Sequence, residues 1–470
     1  TPFGAAFRKH VKAGISTKQT SPITSRGTDS MDGLTIGIIG FGVMLVLLAV
    51  RVPIGIAMLT VGVVGYVTIA GEVALFSYLK TETYWRFTAE TLSVVPLFIL
   101  MGQFAAKAGL SSALFKAANS WLGQFRGGIA MAAVGGCAGF GAITGSSLAT
   151  AATMGQVALP ELRKYNYSGA LATGSLAAGG TLGILIPPSV VLIIYAVMVE
   201  ANVATLFQAA FIPGVLAALG YILAIAIVVR IFPDAGPAGP RTTFAAKWQA
   251  IVDIWPVLVI FLLVMGGIYI GIFTPTEGAG VGATGTFLIA VMRGGMKWKD
   301  FVDAILGTAS TTAMIFLILL GASIFNAFLG FSQLPIFAAD FFQNSGLSPM
   351  VILVGMIVLY VLLGLVMDSL SMILLTVPIF WPIIAGLDFP VQGEDLKLWF
   401  GIITLIVVEV GLITPPVGLN VFVINSMAKD VPMIETFKGV LPFFLSDAVR
   451  VVFIIMFPTI TLVLPHLLEN

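Results

Sequence analysis

The sequence is poor in the residues on which most enzyme chemistry depends. A single cysteine, Cys137, among 470 residues excludes a disulfide framework and any cysteine-rich metal centre. The two histidines, His10 and His466, stand at the extreme ends, which removes imidazole from the acid–base and metal chemistry of the centre. Charge is equally scarce. Only 10% of residues are Asp, Glu, Lys or Arg, where soluble domains average about 25%. With 23 basic and 22 acidic side chains the formal net charge is +1, so there is no basic excess to bind nucleic acid. What fills the chain instead is apolar: 58% of it is hydrophobic and its mean hydropathy is +1.06. No water-soluble fold hides that much apolar surface, and the composition predicts an all-α polytopic membrane protein in a lipid bilayer.

Residues 1–30 stand apart. They are polar, rich in Ser and Thr, and carry Arg8, Lys9, Lys12, Lys18 and Arg26 without an apolar run of signal-peptide length. We read them as a disordered tail or linker outside the fold, with Met31 a candidate start. Beyond it, a hydrocarbon core of about 30 Å needs about 20 apolar residues in helix. Runs of that kind cover 34–50, 53–70, 91–106, 168–199, 203–232, 254–272, 275–292, 311–330, 398–428 and 433–457. Two further stretches, 127–162 and 349–387, are interrupted at mid-length by Gly145-Ser146-Ser147 and Asp368-Ser369-Leu370-Ser371. A polar tip between two half-length apolar segments predicts a re-entrant hairpin, which persists at membrane depth only where protein or a wet cavity surrounds it.

Basic residues orient this arrangement. With ten spans, two hairpins and the first span starting outside, one side receives fourteen Lys and Arg, from Arg51 and Lys107 through Lys429 and Lys438. The other side receives only Lys80, Arg86 and Lys397. Basic loops mark the cytoplasmic face, and counting either hairpin as a full crossing scrambles the segregation. The first span then begins, and the C-terminus ends, on the periplasmic side.

The sequence also contains itself twice. Gly183-Ile-Leu-Ile-Pro-Pro-Ser189 recurs as Gly411-Leu-Ile-Thr-Pro-Pro-Val417, each copy after a polar-tipped hairpin and inside a long apolar run. Ser146 lies fourteen residues before Pro160, as Asp368 does before Pro382, and Arg51-Val-Pro53 matches Thr274-Pro-Thr276 loosely. The first repeat is 31–232, with scaffold helices 34–70, an interfacial arm 72–90, the hairpin and a broken helix 168–200. A cytoplasmic linker, 233–253, leads to the second repeat, 254–457, with scaffold helices 254–292, an arm 299–309, the hairpin and a broken helix 398–428. Residues 458–470 form a C-terminal tail. Five crossings per repeat force the copies to be inverted, and inverted repeats with discontinuous helices characterise secondary transporters.

Each proline pair removes backbone donors and frees carbonyls. Those oxygens, with nearby Ser, Thr and Asn side chains, suit a weakly held monovalent cation. We therefore pair Gly145, Ser146 and Ser147 with the break 183–189 (Gly183, Pro187) as one candidate sodium site. Asp368, Ser369 and Ser371 pair with Thr414, Pro415, Gly418 and Asn420 as the other. The same residues also suit a plainer reading, as helix kinks with satisfied hydroxyls. Half-helices starting at the tips aim amide N–H groups at the centre, where a carboxylate substrate would meet Ser147 and Asp368 first. Asp368 in apolar surroundings is either functional or a helix cap. Glu409 is placed to orient the second break, and Glu277 to complement a helix dipole.

At this point the residues resemble one family, the large membrane subunit of tripartite ATP-independent periplasmic (TRAP) transporters. The likeness is carried by Gly145-Ser-Ser-Leu-Ala-Thr-Ala-Ala-Thr-Met-Gly155, Gly179-Gly-Thr-Leu-Gly-Ile-Leu-Ile-Pro-Pro-Ser189, Phe211-Ile-Pro-Gly214, Thr274-Pro-Thr-Glu277 and Gly411-Leu-Ile-Thr-Pro-Pro-Val-Gly-Leu-Asn420, and it covers 31–470. It implies a sodium-driven importer of a small organic acid, of sialic acid or C4-dicarboxylate type, working as an elevator in the bacterial inner membrane. It also implies a small four-helix membrane subunit and a periplasmic substrate-binding protein as partners, Na⁺ as coupling ion and no organic cofactor. The rivals are a stand-alone sodium–anion symporter and an intramembrane hydrolase; the hydrolase lacks a base for Ser146 or Ser147 and an aspartate partner for Asp368.

Overall fold

Lipid offers a backbone no hydrogen bonds, so apolar segments satisfy their own as helices. The computed structural model describes residues 32–468, and every regular element among them is helical. The tail 1–30 lies outside the described residues. Each predicted hairpin is two helices: Gly128–Thr144 with Ser147–Lys164, and Pro349–Gly364 with Ser369–Ala385. Gly145, at φ +61°, turns the first tip, and Ser146 caps the outgoing helix by accepting from the Ala149 amide at 3.4 Å. Asp368 holds the matching position in the second tip and accepts from the Ser371 amide at 3.3 Å. The fourteen-residue spacing thus aligns two N-caps.

The broken helices are Gly169–Leu185 with Val190–Val199, bent by 44°, and Gly393–Gly411 with Leu419–Met427. Ser189 caps the restart of the first, and Gly418, at φ +54°, precedes the restart of the second. Both Pro–Pro bonds in the breaks are cis. The first hairpin packs on Gly169–Leu185 and the second on Gly393–Gly411. At each crossing backbones nearly touch. A Cβ on Gly141 would lie 2.5 Å from the Gly183 Cα, and one on Gly364 would lie 2.6 Å from the Gly411 Cα. The last helices of the two repeats, Val203–Ile231 and Met433–Met456, pack on each other and on Gly169–Leu185.

Around this block the repeats exchange partners. Ile54–Ala70 of the first packs along Trp298–Ser332 of the second, and Pro275–Met292 of the second packs along Glu90–Lys107 of the first. Small residues permit the approach, as lipid-embedded helix contacts require. A Cβ on Gly62 would meet the Phe325 amide nitrogen at 2.7 Å.

Three boundaries differ from the sequence reading. The arm 299–309 is not separate, because Trp298–Ser332 runs unbroken for 35 residues with no proline to interrupt it. Its counterpart Glu72–Thr88 is a distinct helix, set at 51° to Glu90–Lys107 across the extended Ala89. The linker 233–253 holds a helix, Phe244–Asp253, with Phe244 and Trp248 exposed. The tail 458–470 continues as Thr459–Leu468, packed on Val203–Ile231 and Gly393–Gly411, with His466 3.0 Å from Asp395. By length and composition three helices suffice to cross a membrane, or six if each bent pair counts as one span. The count of ten spans therefore rests on the charge segregation.

Candidate functional site

The first hairpin tip sits on the first break. A Cβ on Gly145 would lie 2.7 Å from the Pro188 carbonyl oxygen, and one on Gly183 would lie 2.6 Å from that of Ser146. Hydroxyls line the same spot: Thr144 and Thr150, both buried, are hydrogen-bonded at 2.9 Å. Pro187 completes the turn within the buried break. Carbonyl and hydroxyl oxygens at close quarters are donors suited to a weakly bound monovalent cation.

The second tip joins its broken helix through a carboxylate. Ser369 donates to Glu409 Oε1 at 2.7 Å, both side chains being buried. Asp368 accepts from the Ser371 amide and hydroxyl, so it performs the capping role while it also lines the central cavity. Thr414 folds back to donate to the Val410 carbonyl at 2.6 Å, and Pro415 is exposed. Asn420, which the repeat pairs with Asp368 and Ser369, also reaches beyond its own repeat. It crosses to the first repeat, where its amide donates to the Ala177 carbonyl at 3.3 Å. The glycine-rich face of Gly169–Leu185 leaves room there, and a larger residue at Gly180 would collide with Ala151.

Both tips open on one cavity of about 400 Å³. Gly145, Ser146, Ser147, Asp368 and Ser369 line it, so the two first-contact candidates, Ser147 and Asp368, face the same space. Gln103 and Thr311 contribute from Glu90–Lys107 and Trp298–Ser332, two wall positions the motifs did not announce. A second cavity of about 360 Å³ lies where the loop 50–53 meets the second tip and break. Arg51, Asp368, Ser371 and Val417 line it. Among the described residues no three His, Cys, Asp or Glu side chains cluster as a transition-metal centre would need.

Glu277 closes a capping box, accepting from the Thr274 amide and hydroxyl at 2.9 and 3.0 Å, which suits its dipole role. Asp447 forms a buried pair with Arg450 at 2.7 Å and accepts from Tyr221 at 2.7 Å, and Tyr221 meets Thr181 at 3.0 Å. This network ties both final helices to Gly169–Leu185. Its signal in the sequence is the Asp–Arg spacing of three on an otherwise apolar helix.

Solved structures similar in architecture include transporters. One is the Alcanivorax borkumensis YdaH transporter, at TM-score 0.59 and 16% identity, with 90% of this chain and 97% of that one covered. That likeness shows the fold, an all-helical polytopic membrane architecture. The family description "Tripartite ATP-independent periplasmic transporter, DctM component" matches residues 41–460, and the chain belongs to that family. It is 36% identical over 379 residues to the C4-dicarboxylate TRAP transporter large permease protein DctM of Pseudomonas aeruginosa, covering 80% of this chain and 86% of that protein. It is 30% identical over 382 residues to the sialic acid TRAP transporter large permease protein SiaM of Vibrio cholerae, covering 80% and 86%.

Proposed function

We propose that this chain is the large permease of a sodium-driven importer that carries a small organic acid across the bacterial inner membrane by an elevator motion. The observation that carries the reading is the meeting of the two hairpin tips at one cavity, each tip resting on its own broken helix. Sodium bound at each tip–break junction orders the tips, and the ordered tips then hold the substrate carboxylate between Ser147 and Asp368, with helix N-termini favouring its charge. The cavity lining contains no basic side chain, so bound Na⁺ supplies the positive charge that the anion requires. A small membrane subunit braces the scaffold, and a periplasmic binding protein delivers the substrate. The substrates named for the DctM and SiaM relatives make a C4-dicarboxylate or a sialic acid the first acids to try.

The test is uptake in proteoliposomes holding both membrane subunits, with candidate acids added with and without binding protein and with and without an inward sodium gradient. Uptake only when binding protein and gradient are both present supports the reading. Undiminished uptake without sodium contradicts it, and full uptake without binding protein returns the chain to a stand-alone symporter.

A further inference from the structure

Glu409 stands behind the second tip, and one oxygen of its carboxylate is unserved. It is 1% exposed, and Oε1 accepts from Ser369 of the second tip. Oε2 is buried without a hydrogen-bond partner. From the first tip, the Ser147 side chain lies within interacting range of the same carboxylate. A second buried acceptor, beyond the second break, is also unserved. Asn420, with no exposed surface, spends its amide nitrogen on Ala177 and leaves Oδ1 without a partner. Asn420 approaches Ser147 too: a Cβ on Gly180 would lie 3.2 Å both from the Asn420 amide nitrogen and from the Ser147 carbonyl oxygen.

Two orphaned acceptors in the interior call for a donor or a cation. Among the described residues no Lys, Arg or His hydrogen-bonds either acceptor. The nearby Arg450 bonds Asp447 and the Pro213 carbonyl instead. A lone carboxylate among neutral oxygens matches a single positive charge; divalent ions ordinarily take more carboxylates or water. We propose that Glu409, Asn420, Ser147 and Ser369 form a third cation site, lying between the two tips and taking a monovalent metal ion of sodium's class. Its donors come from both hairpins and from both sides of the second break. An ion there therefore ties the closure of one hairpin to that of the other, a link that two separate tip–break sites do not provide. The inference rests on the sodium-coupled reading above.

The experiment follows the thermal unfolding midpoint of the full chain in detergent while NaCl replaces choline chloride at constant ionic strength. Wild type gains stability with sodium. Glu409→Gln unfolds in choline at or above the wild-type temperature, because an uncompensated buried charge is gone, and it needs about tenfold more sodium for half of the stabilisation. Asn420→Ala, the second variant should Glu409→Gln not accumulate, also raises the half-saturating sodium. A sodium response in either variant equal to wild type overturns the third site and leaves sodium coupling standing. No sodium response in wild type overturns both.

Discussion

Asp368 serves two roles at once, and substitution separates them. Asn caps a helix about as well as Asp, whereas Ala costs about 1 kcal/mol at an N-cap. Asp368→Asn therefore leaves the unfolding temperature near wild type, yet it lowers sodium-dependent uptake at least about tenfold through loss of charge. Asp368→Ala lowers both. Uptake by Asp368→Asn equal to wild type would leave Asp368 as a cap alone. The Asp447–Arg450 pair belongs to the same scale. Removing one member of a buried pair leaves an uncompensated charge and costs about 3–5 kcal/mol. Asp447→Ala thus drops the unfolding temperature by several degrees, and the double variant with Arg450→Leu recovers part of the loss. At this scale the sequence was only partly legible. Tip residues announced themselves as polar islands in apolar runs, because a hydroxyl or carboxylate at membrane depth needs a local reason. The partners of Glu409 and Asn420 did not, because each lies across the molecule on another element. For Asn420, repeat symmetry did not announce the bond to Ala177 in the other repeat.

Helices, hairpins and breaks were far more legible, since glycine and proline write backbone interruptions directly into the chain. What single-chain patterning could not convey is which faces touch. Gly141→Ala and Gly364→Ala push a Cβ against another backbone at about the same place in each repeat. Each substitution should abolish uptake while the protein still reaches the membrane. Gly42→Ala and Gly355→Ala, where a Cβ meets nothing within 4 Å, serve as neutral controls. The unbroken helix Trp298–Ser332 escaped sequence reading because its charged first turns resemble a separate arm. Its Asp300 hydrogen-bonds Lys107 at 3.1 Å, and that ammonium holds the carboxyl below the usual range. A depressed carboxylate contributes stability above its unfolded value, about 3.9, and loses it as pH falls through the lower folded value. The difference in unfolding temperature between wild type and Asp300→Asn is therefore present at pH 6 and shrinks below about pH 3.9.

At the scale of the whole molecule, the two repeats build two kinds of structure. Their outer helices pair across the repeats into a frame, and their hairpins, broken helices and final helices pack into an inner block. The duplicated motif was readable in the sequence; the exchange of partners in the frame was not, because it depends on glycine faces that carry no period. An elevator requires the block to move against the frame, and the second cavity marks a place where the two face each other, with Arg51 on the frame and Val417 on the block. The most direct measurement joins them: Arg51→Cys and Val417→Cys in a Cys137→Ala background, bridged by a short bifunctional reagent cleaved by reductant, with uptake followed before bridging, after it and after reduction. The account predicts that bridging stops uptake and that reduction restores it. Full uptake by completely bridged protein would show that block and frame need not part, and would contradict the elevator.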